Sequence, residues 1–281
     1  QAEVYIFSAV QFEFALSYFY YGKIWEEGLT GTKDLKKAET YYLMAAKENV
    51  SIAQYALGKM YQKENELTSS FFWLTMAAKQ KEKEATYALA NAYFYGKGTK
   101  KDIEKALSYY NEAYHLGVSA AAKNIGCYLF ENPQLDTNSE MAISWLLQIK
   151  ENKDAEVHYM LGMLFEKQGR MEEALHFYLM SAEENHLESA LKVGKYFEEG
   201  IVESPHLEQA IYWYERASIL GNDEAKAYLR RVKKALKEKM ELEENHSQEE
   251  KVDYLMLAMT KEQENDIILA HQYYQMAIDE G

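Results

Sequence analysis

Two rows of residues recur along this 281-residue chain with the chemistry of a recognition surface. The first is Phe19, Tyr55, Tyr87, Lys123, Tyr159 and Leu191; the second, four positions later each time, is Lys23, Lys59, Asn91, Cys127, Met163 and Lys195. Phe94, Tyr95 and Phe130 follow close behind. Aromatic faces accept apolar side chains, while amide and ammonium groups meet backbone carbonyls and carboxylates, which is the mixture that holds an extended peptide. The candidate partner-binding set is therefore Lys23, Tyr55, Lys59, Tyr87, Asn91, Phe94, Tyr95, Lys123, Tyr159 and Lys195. For any single tyrosine, packing against a neighbouring helix is an equal alternative.

Residue patterns that carry catalysis do not emerge. The sequence has no phosphate-binding glycine loop, no HExxH, no CxxC and no GxSxG. Its seven histidines, His115, His158, His176, His186, His206, His246 and His271, show no i, i+4 pairing of the kind that brings zinc ligands together. Cys127 is the single cysteine, so an internal disulfide framework is excluded, and it reads as a small packed thiol. The Gly96 to Gly98 pair reads as a helix-joining turn. No enzyme activity, metal or cofactor is expected.

Charge narrows the partner. With 31 Lys and Arg against 45 Asp and Glu, the formal net charge is −14 at pH 7, the wrong sign for the basic face that binding phosphodiester backbones requires. No run of about 18 apolar residues is present to span a membrane. A protein or peptide is the expected partner, and the compartment is left open.

The two rows need elements that repeat. A small residue recurs at Gly22, Gly58, Ala90, Gly126, Gly162 and Gly194, in steps of 36, 32, 36, 36 and 32. A second series, Ala38, Ser70, Ala106, Ala142, Ala174 and Ala210, has each member 20 residues before the next position of the first series where one follows. The length variation thus lies in one loop inside the unit. From each second marker, positions 0, 3, 4 and 7 repeat a small, large, large, small pattern that falls on one helical face: Ala38, Tyr41, Tyr42 and Ala45, or Ala106, Tyr109, Tyr110 and Ala113. Small residues permit close approach of the paired helix, and large ones fill the gap to the next unit. One such pair cannot bury its own face, whereas a stack makes a continuous core. In that stack the first helices line the concave side and carry both rows.

These units resemble the Sel-one-like repeat, a relative of the tetratricopeptide repeat. The pattern is met by Ala85, Leu89, Ala90, Tyr93, Gly96, Gly98, Asp102, Lys105, Ala106, Tyr109, Tyr110, Ala113 and Gly117, and nearly as well between Tyr21 and Ala46. The resemblance implies an all-α fold, a right-handed superhelical solenoid of stacked antiparallel helix pairs. It implies a non-catalytic scaffold or adaptor that binds a partner segment on its concave surface. The family is associated with signalling, envelope, quality-control and bacterial host-interaction processes. The alternatives are the interaction arm of a longer protein and, from some repeat relatives, a cell-wall hydrolase, for which no nucleophile and base stand together. The lysines favour an acidic ligand or a C-terminal carboxylate, although the tetratricopeptide carboxylate clamp is not reproduced, because its Lys and Asn types fall in different units.

Three segments are expected: a repeat array over 1–221, a degenerate charged helix or irregular unit over 222–251, and a final helix pair over 252–281. Ala2, Tyr5, Ile6 and Ala9 fit the second-helix pattern, so the chain is expected to open inside such a helix. Ala258, Ala270, Tyr273, Tyr274, Ala277 and Gly281 restore the register at the end, as in a piece of a longer array. Between them, Lys234 with Glu238 and Lys237 with Glu241 suit a solvated helix.

Overall fold

The marker positions are small because a large side chain presses on each. A Cβ added at Gly58 would lie 2.7 Å from Leu74 Cδ2, and one at Gly162 would lie 2.5 Å from Tyr178 Cδ1, closer than carbon atoms pack. At all five glycine markers the residue pressing in is the offset-4 residue of the second helix. Tyr42, Leu74, Tyr110, Leu146, Tyr178 and Tyr214 are all fully buried there, alongside Ala38, Ala106, Ala142, Ala174 and Ala210. The offset-3 rings are only half-buried, except for Trp213, and pack toward neighbouring helices, as in the Tyr93–Tyr109 stack at 5.7 Å and the Phe165–Phe177 stack at 5.3 Å. Burial of each such large side chain contributes about 1.5–3 kcal/mol.

The computed structural model describes the backbone of residues 2–29, 31–133, 136–149 and 154–279, and the side chains of 14–29, 31–133, 138–149, 154–244 and 254–278. Among the described residues there are fourteen α-helices and no strand. They fall into two compact units, Gln1–Asn152 and Lys153–Gly281. In unit 1, α1 (Ala2–Glu27) pairs with α2 (Leu35–Lys47), α3 (Ser51–Lys63) with α4 (Leu67–Lys79), α5 (Lys83–Tyr95) with α6 (Ile103–His115), and α7 (Ala120–Glu131) with α8 (Asp136–Leu146). In unit 2, α9 (Ala155–Lys167) pairs with α10 (Met171–Glu183), α11 (Leu187–Glu199) with α12 (Leu207–Ile219), and α13 (Asp223–Gln263) with α14 (Ile267–Asp279). Within each unit, the second helix of one pair packs on the first helix of the next. The all-α helix-pair solenoid expected from the register is the fold of both units.

Local sequence sets the helix ends. Asp34 and Asp102 each accept a hydrogen bond from the backbone N–H three residues on, at 3.0 Å, capping α2 and α6. Gly96 ends α5 in the left-handed region at φ 70°, and Gly98 at φ 74° lies so close to the Leu67 carbonyl that a side chain has no room. The GxG pair therefore serves the turn. Between successive pairs the left-handed position is held by Asn49, Lys81, Gly117, Asn185 and Gly221. Lys81 is the exception among residue types that tolerate it.

The two irregular segments are long helices. Helix α1 runs without a break from Ala2 to Glu27, so the backbone makes no turn between the pattern at 2–9 and Gly22. The packing of Tyr5, Ile6 and Ala9 lies outside the described side chains, as does Gly281. Helix α13 covers 41 residues, containing no Gly or Pro, and crosses the whole 223–251 region. Its first turns bury Val232 with Tyr228 and Leu229 against Ala210 and Tyr214 of α12. Beyond that contact, residues 237–244 are exposed on every side, laced by Lys234–Glu238 and Lys237–Glu241 pairs at 3.5 Å. Such exposed pairs contribute only a few tenths of a kcal/mol each.

Candidate functional site

In unit 1 the first helices α3, α5 and α7 bring residues of different repeats to one face. A cleft of about 360 Å³ is lined by Tyr55, Lys59 and Gln62 of α3, Glu84, Tyr87, Ala88, Asn91 and Tyr95 of α5, and by Lys97 and Val118. A second cleft, of about 270 Å³, is lined by Phe94, Tyr95, Tyr110, Asn124, Cys127, Tyr128 and Glu131. Tyr95 belongs to both and is 61% exposed, so its ring stands as the wall between them. Six of the ten residues expected from sequence, Tyr55, Lys59, Tyr87, Asn91, Phe94 and Tyr95, meet in these two adjoining clefts.

Their polar groups are not equally available. The Asn91 Oδ1 accepts from the Tyr110 hydroxyl at 2.7 Å, and its Nδ2 donates to the Tyr87 carbonyl at 3.1 Å. The Tyr87 hydroxyl accepts from Asn124 Nδ2 at 3.1 Å. These groups tie α5 to α6 and α7. By contrast, Lys59 is exposed and makes no ion pair among the described residues. Lys97 contacts the Tyr95 ring, its ammonium 5.4 Å from the centroid. Glu84, the one carboxylate lining this cleft, is paired with Lys83 at 3.3 Å. Beside it, burial and a hydrogen bond with Glu84 push the Glu82 carboxyl up to about 7.

The other four expected residues lie elsewhere. Lys23 pairs with Glu27 at 3.6 Å. Lys123 is half-buried on α7 and lines neither cleft. In unit 2, the Tyr159 ring packs on His186 at 4.6 Å and Tyr178 at 5.9 Å, and the Lys195 ammonium sits 4.8 Å over the Tyr228 ring. The Tyr159 ring is thus engaged in packing. Gln62, Lys97, Asn124 and Tyr128 line the clefts without belonging to the set expected from sequence, and Tyr110 lines the second cleft although its pattern marks it as a packing residue. Gln62 holds the same register position as Phe94, four after the marker, and so was within reach of the repeat pattern; Lys97 belongs to a loop and gave no periodic signal.

Unit 2 carries a different arrangement at that register position. Glu166 accepts from the Tyr178 hydroxyl at 2.6 Å and from Lys192 Nζ at 2.7 Å. Burial pushes this carboxyl up, but the Lys192 ammonium and the Tyr178 hydroxyl outweigh it and hold it below the usual range. Glu198 likewise accepts from the Tyr214 hydroxyl at 2.6 Å and from Arg231 through two nitrogens, at 2.8 and 2.9 Å. Burial and the neighbouring carboxylate raise both phenols far above their ordinary value, so they stay protonated donors.

One Ser–His contact invites a catalytic reading. Ser189 Oγ lies 3.0 Å from His186 Nδ1, and Glu188 lies 3.5 Å from the same nitrogen. Yet Ser189 is wholly buried and donates to Ser181 Oγ at 2.7 Å, which in turn donates to the Ala155 carbonyl. No substrate can reach that hydroxyl, and His186 serves as the cap of α11. Among the described residues no group of three His, Cys, Asp or Glu stands close enough to hold a metal, and no helix is long and apolar enough to cross a membrane. The His246 side chain lies outside the described residues.

Comparison with known proteins places this geometry in context. The Sel1 repeat profile matches residues 15–50, 51–82, 83–118, 119–154, 155–186, 187–222 and 259–281. The rat (Rattus norvegicus) protein "DAP3-binding cell death enhancer 1" is 27% identical over 200 residues, which are 70% of this chain and 39% of that protein. The chain thus spans about two fifths of that relative's length. Among solved structures, the protective antigen c5321 of uropathogenic Escherichia coli, which displays an SLR fold, superposes with a TM-score of 0.67 at 21% identity, covering 80% of this chain and 50% of that one. A Sel1 repeat protein from Oxalobacter formigenes gives a TM-score of 0.53 at 23% identity, over 72% of this chain and 84% of its own.

Proposed function

The chain belongs to the Sel1-repeat family, whose units generally mediate protein–protein interaction, and we propose that it is a non-catalytic scaffold holding a segment of a partner protein against α3, α5 and α7. One observation carries this reading: residues from separate repeats, picked out by register alone, converge on one open cleft in which Lys59 makes no ion pair among the described residues and the Tyr95 ring stands exposed. The rat relative's own name records a binding partner, in keeping with a partner-binding role here. Among the described residues, the Ser189–His186 contact is buried and lends no support to a hydrolase.

The decisive experiment replaces Tyr95 with a photo-crosslinking amino acid, identifies the protein captured, and titrates that protein against variants. Tyr95→Ala and Lys59→Ala should each weaken binding by about tenfold, since exposed anchors at the centre of such a face cost about 1–3 kcal/mol on truncation. Glu104→Ala, on exposed α6, should leave binding within twofold. A partner lost with Glu104→Ala and retained with both other variants would move the binding face to the second helices. Tyr87 and Asn91 are poor probes, because their truncation breaks bonds that hold α5 to its neighbours.

A second reading, the interaction arm of a longer protein, is favoured by the relative in which the matched residues make up 39% of the length. The same crosslink carried out on the full reading frame tests it.

A further inference from the structure

The two clefts of unit 1 differ in chemistry. In the first, Lys59 and Lys97 present two ammonium groups, and the only carboxylate among its lining residues, Glu84, already faces Lys83. In the second, Phe94, Tyr95 and Tyr128 supply three rings above the buried Tyr110, with Phe94 edge-on to Tyr128 at 6.0 Å, and Glu131 is the only charged lining residue. An acidic group is thus drawn to the first cleft, while an apolar side chain is favoured in the second.

Resting on the partner-binding reading above, we infer that the occupant is an extended acidic peptide segment whose carboxylate side chain seats between Lys59 and Lys97 while a nearby aromatic or aliphatic side chain crosses Tyr95 into the ring-lined cleft. The spacing follows from the helices. Neighbouring helix axes lie on the order of 10 Å apart, and an extended chain covers that distance in about three residues. The segment runs with its acid toward α3 and its apolar anchor toward α7. Among the described residues of unit 2, Glu166 and Glu198 already occupy Lys192 and Arg231. In a chain of net charge −14, Lys59 and Lys97 form a local cationic patch beside an apolar one, which gives the track a direction.

The test pans a displayed random octapeptide library on the full chain and on a Lys59→Glu, Lys97→Glu double variant, with helicity compared by circular dichroism. The wild-type chain should enrich Asp or Glu about three positions from Phe, Tyr, Leu or Met. The double variant should lose the acidic preference at least tenfold while keeping the apolar one, and Tyr128→Ala should do the reverse. Both substituted lysines are exposed, so the fold should survive their reversal. Enrichment without an acidic preference, or a preference unchanged by the charge reversal, overturns the acidic track while leaving partner binding intact. Self-association of the chain abolished by the double variant overturns it in favour of a second copy. No enrichment at all overturns both this inference and the binding reading beneath it.

Discussion

The first helices of unit 1 and unit 2 follow one register yet end in opposite electrostatic states. Four residues after the marker, unit 2 has Glu166 and Glu198, each held by a buried tyrosine hydroxyl and by a cation from the next first helix. The same register position in the middle of unit 1 has Gln62, Phe94 and Phe130, which offer no carboxylate to a tyrosine hydroxyl or a cation. Tyr110 turns its hydroxyl to Asn91 instead. The opening repeat of unit 1 behaves as unit 2 does, since Glu26 accepts from Tyr42 at 2.7 Å and pairs with Lys63 at 3.6 Å. Where this one position is Glu26, Glu166 or Glu198, the offset-4 tyrosine of the second helix and a cation of the next first helix close on it; where it is Gln or Phe, they do not.

The frame common to both units can be broken first, and with the largest effect. Gly126→Trp and Gly162→Trp should each cost about 3 kcal/mol, because even a Cβ at either position falls 2.5 Å from Leu146 or Tyr178. Urea unfolding midpoints equal to the parent's would show that the shared register is not what holds the pairs together.

The contrast itself is sharpened by removing the seal. Glu166→Ala leaves the buried Tyr178 hydroxyl and the Lys192 ammonium without their acceptor, and should cost about 2 kcal/mol, whereas Gln62→Ala, at the same register position in unit 1, should stay within about 0.5 kcal/mol. Equal losses in the two variants, measured by the same unfolding curves, would erase the distinction.

Transplanting the seal should act on binding. Phe94→Glu places a carboxylate within the ring-lined cleft, near Tyr110 and Asn124, and should weaken the captured partner by about tenfold, or about 1.4 kcal/mol. Unchanged affinity in a titration would mean that the open face owes nothing to the missing acid.

Smaller effects come from the turns beside the first cleft. Lys81, at φ 60°, holds a position that Asn or Gly fills in other repeats, and Lys81→Asn should raise stability by about 0.5–1 kcal/mol. A lower melting temperature would show that Lys81 is held there by contacts that outweigh its backbone. The smallest effect is one of pH. The folded state keeps Glu82 protonated up to about 7, while the unfolded chain releases that proton near its ordinary value of 4.5. Between these values the folded state binds more protons, so this group's contribution to stability falls as pH rises from about 5 to 7. Glu82→Gln should flatten that slope, by about 1–2 °C in melting temperature across the window. Glu84, whose carboxyl is held low, acts only below about 4.5 and leaves the window untouched. Parallel slopes in parent and variant would remove Glu82 from the account.

Sequence by itself determined the frame of this protein. The spacing of Gly22, Gly58, Ala90, Gly126, Gly162 and Gly194 named the residues that a neighbour presses on, because close approach tolerates only small side chains and so marks itself in the chain. The same register brought Tyr55 and Lys59 onto a face with Tyr87 and Tyr95. Which of those groups remain available was decided only by tertiary structure. Asn91 meets Tyr110 across 19 positions, Arg231 reaches Glu198 across 33, and Lys195 rests on a ring of the next first helix. Short-range periodicity reports which side of a helix a residue occupies, but not which partner consumes its hydrogen bonds. The long helix α13 shows the same limit, since its lack of Gly and Pro permits 41 helical residues while only the packing of α12 and α14 on its two ends fixes where that helix is anchored.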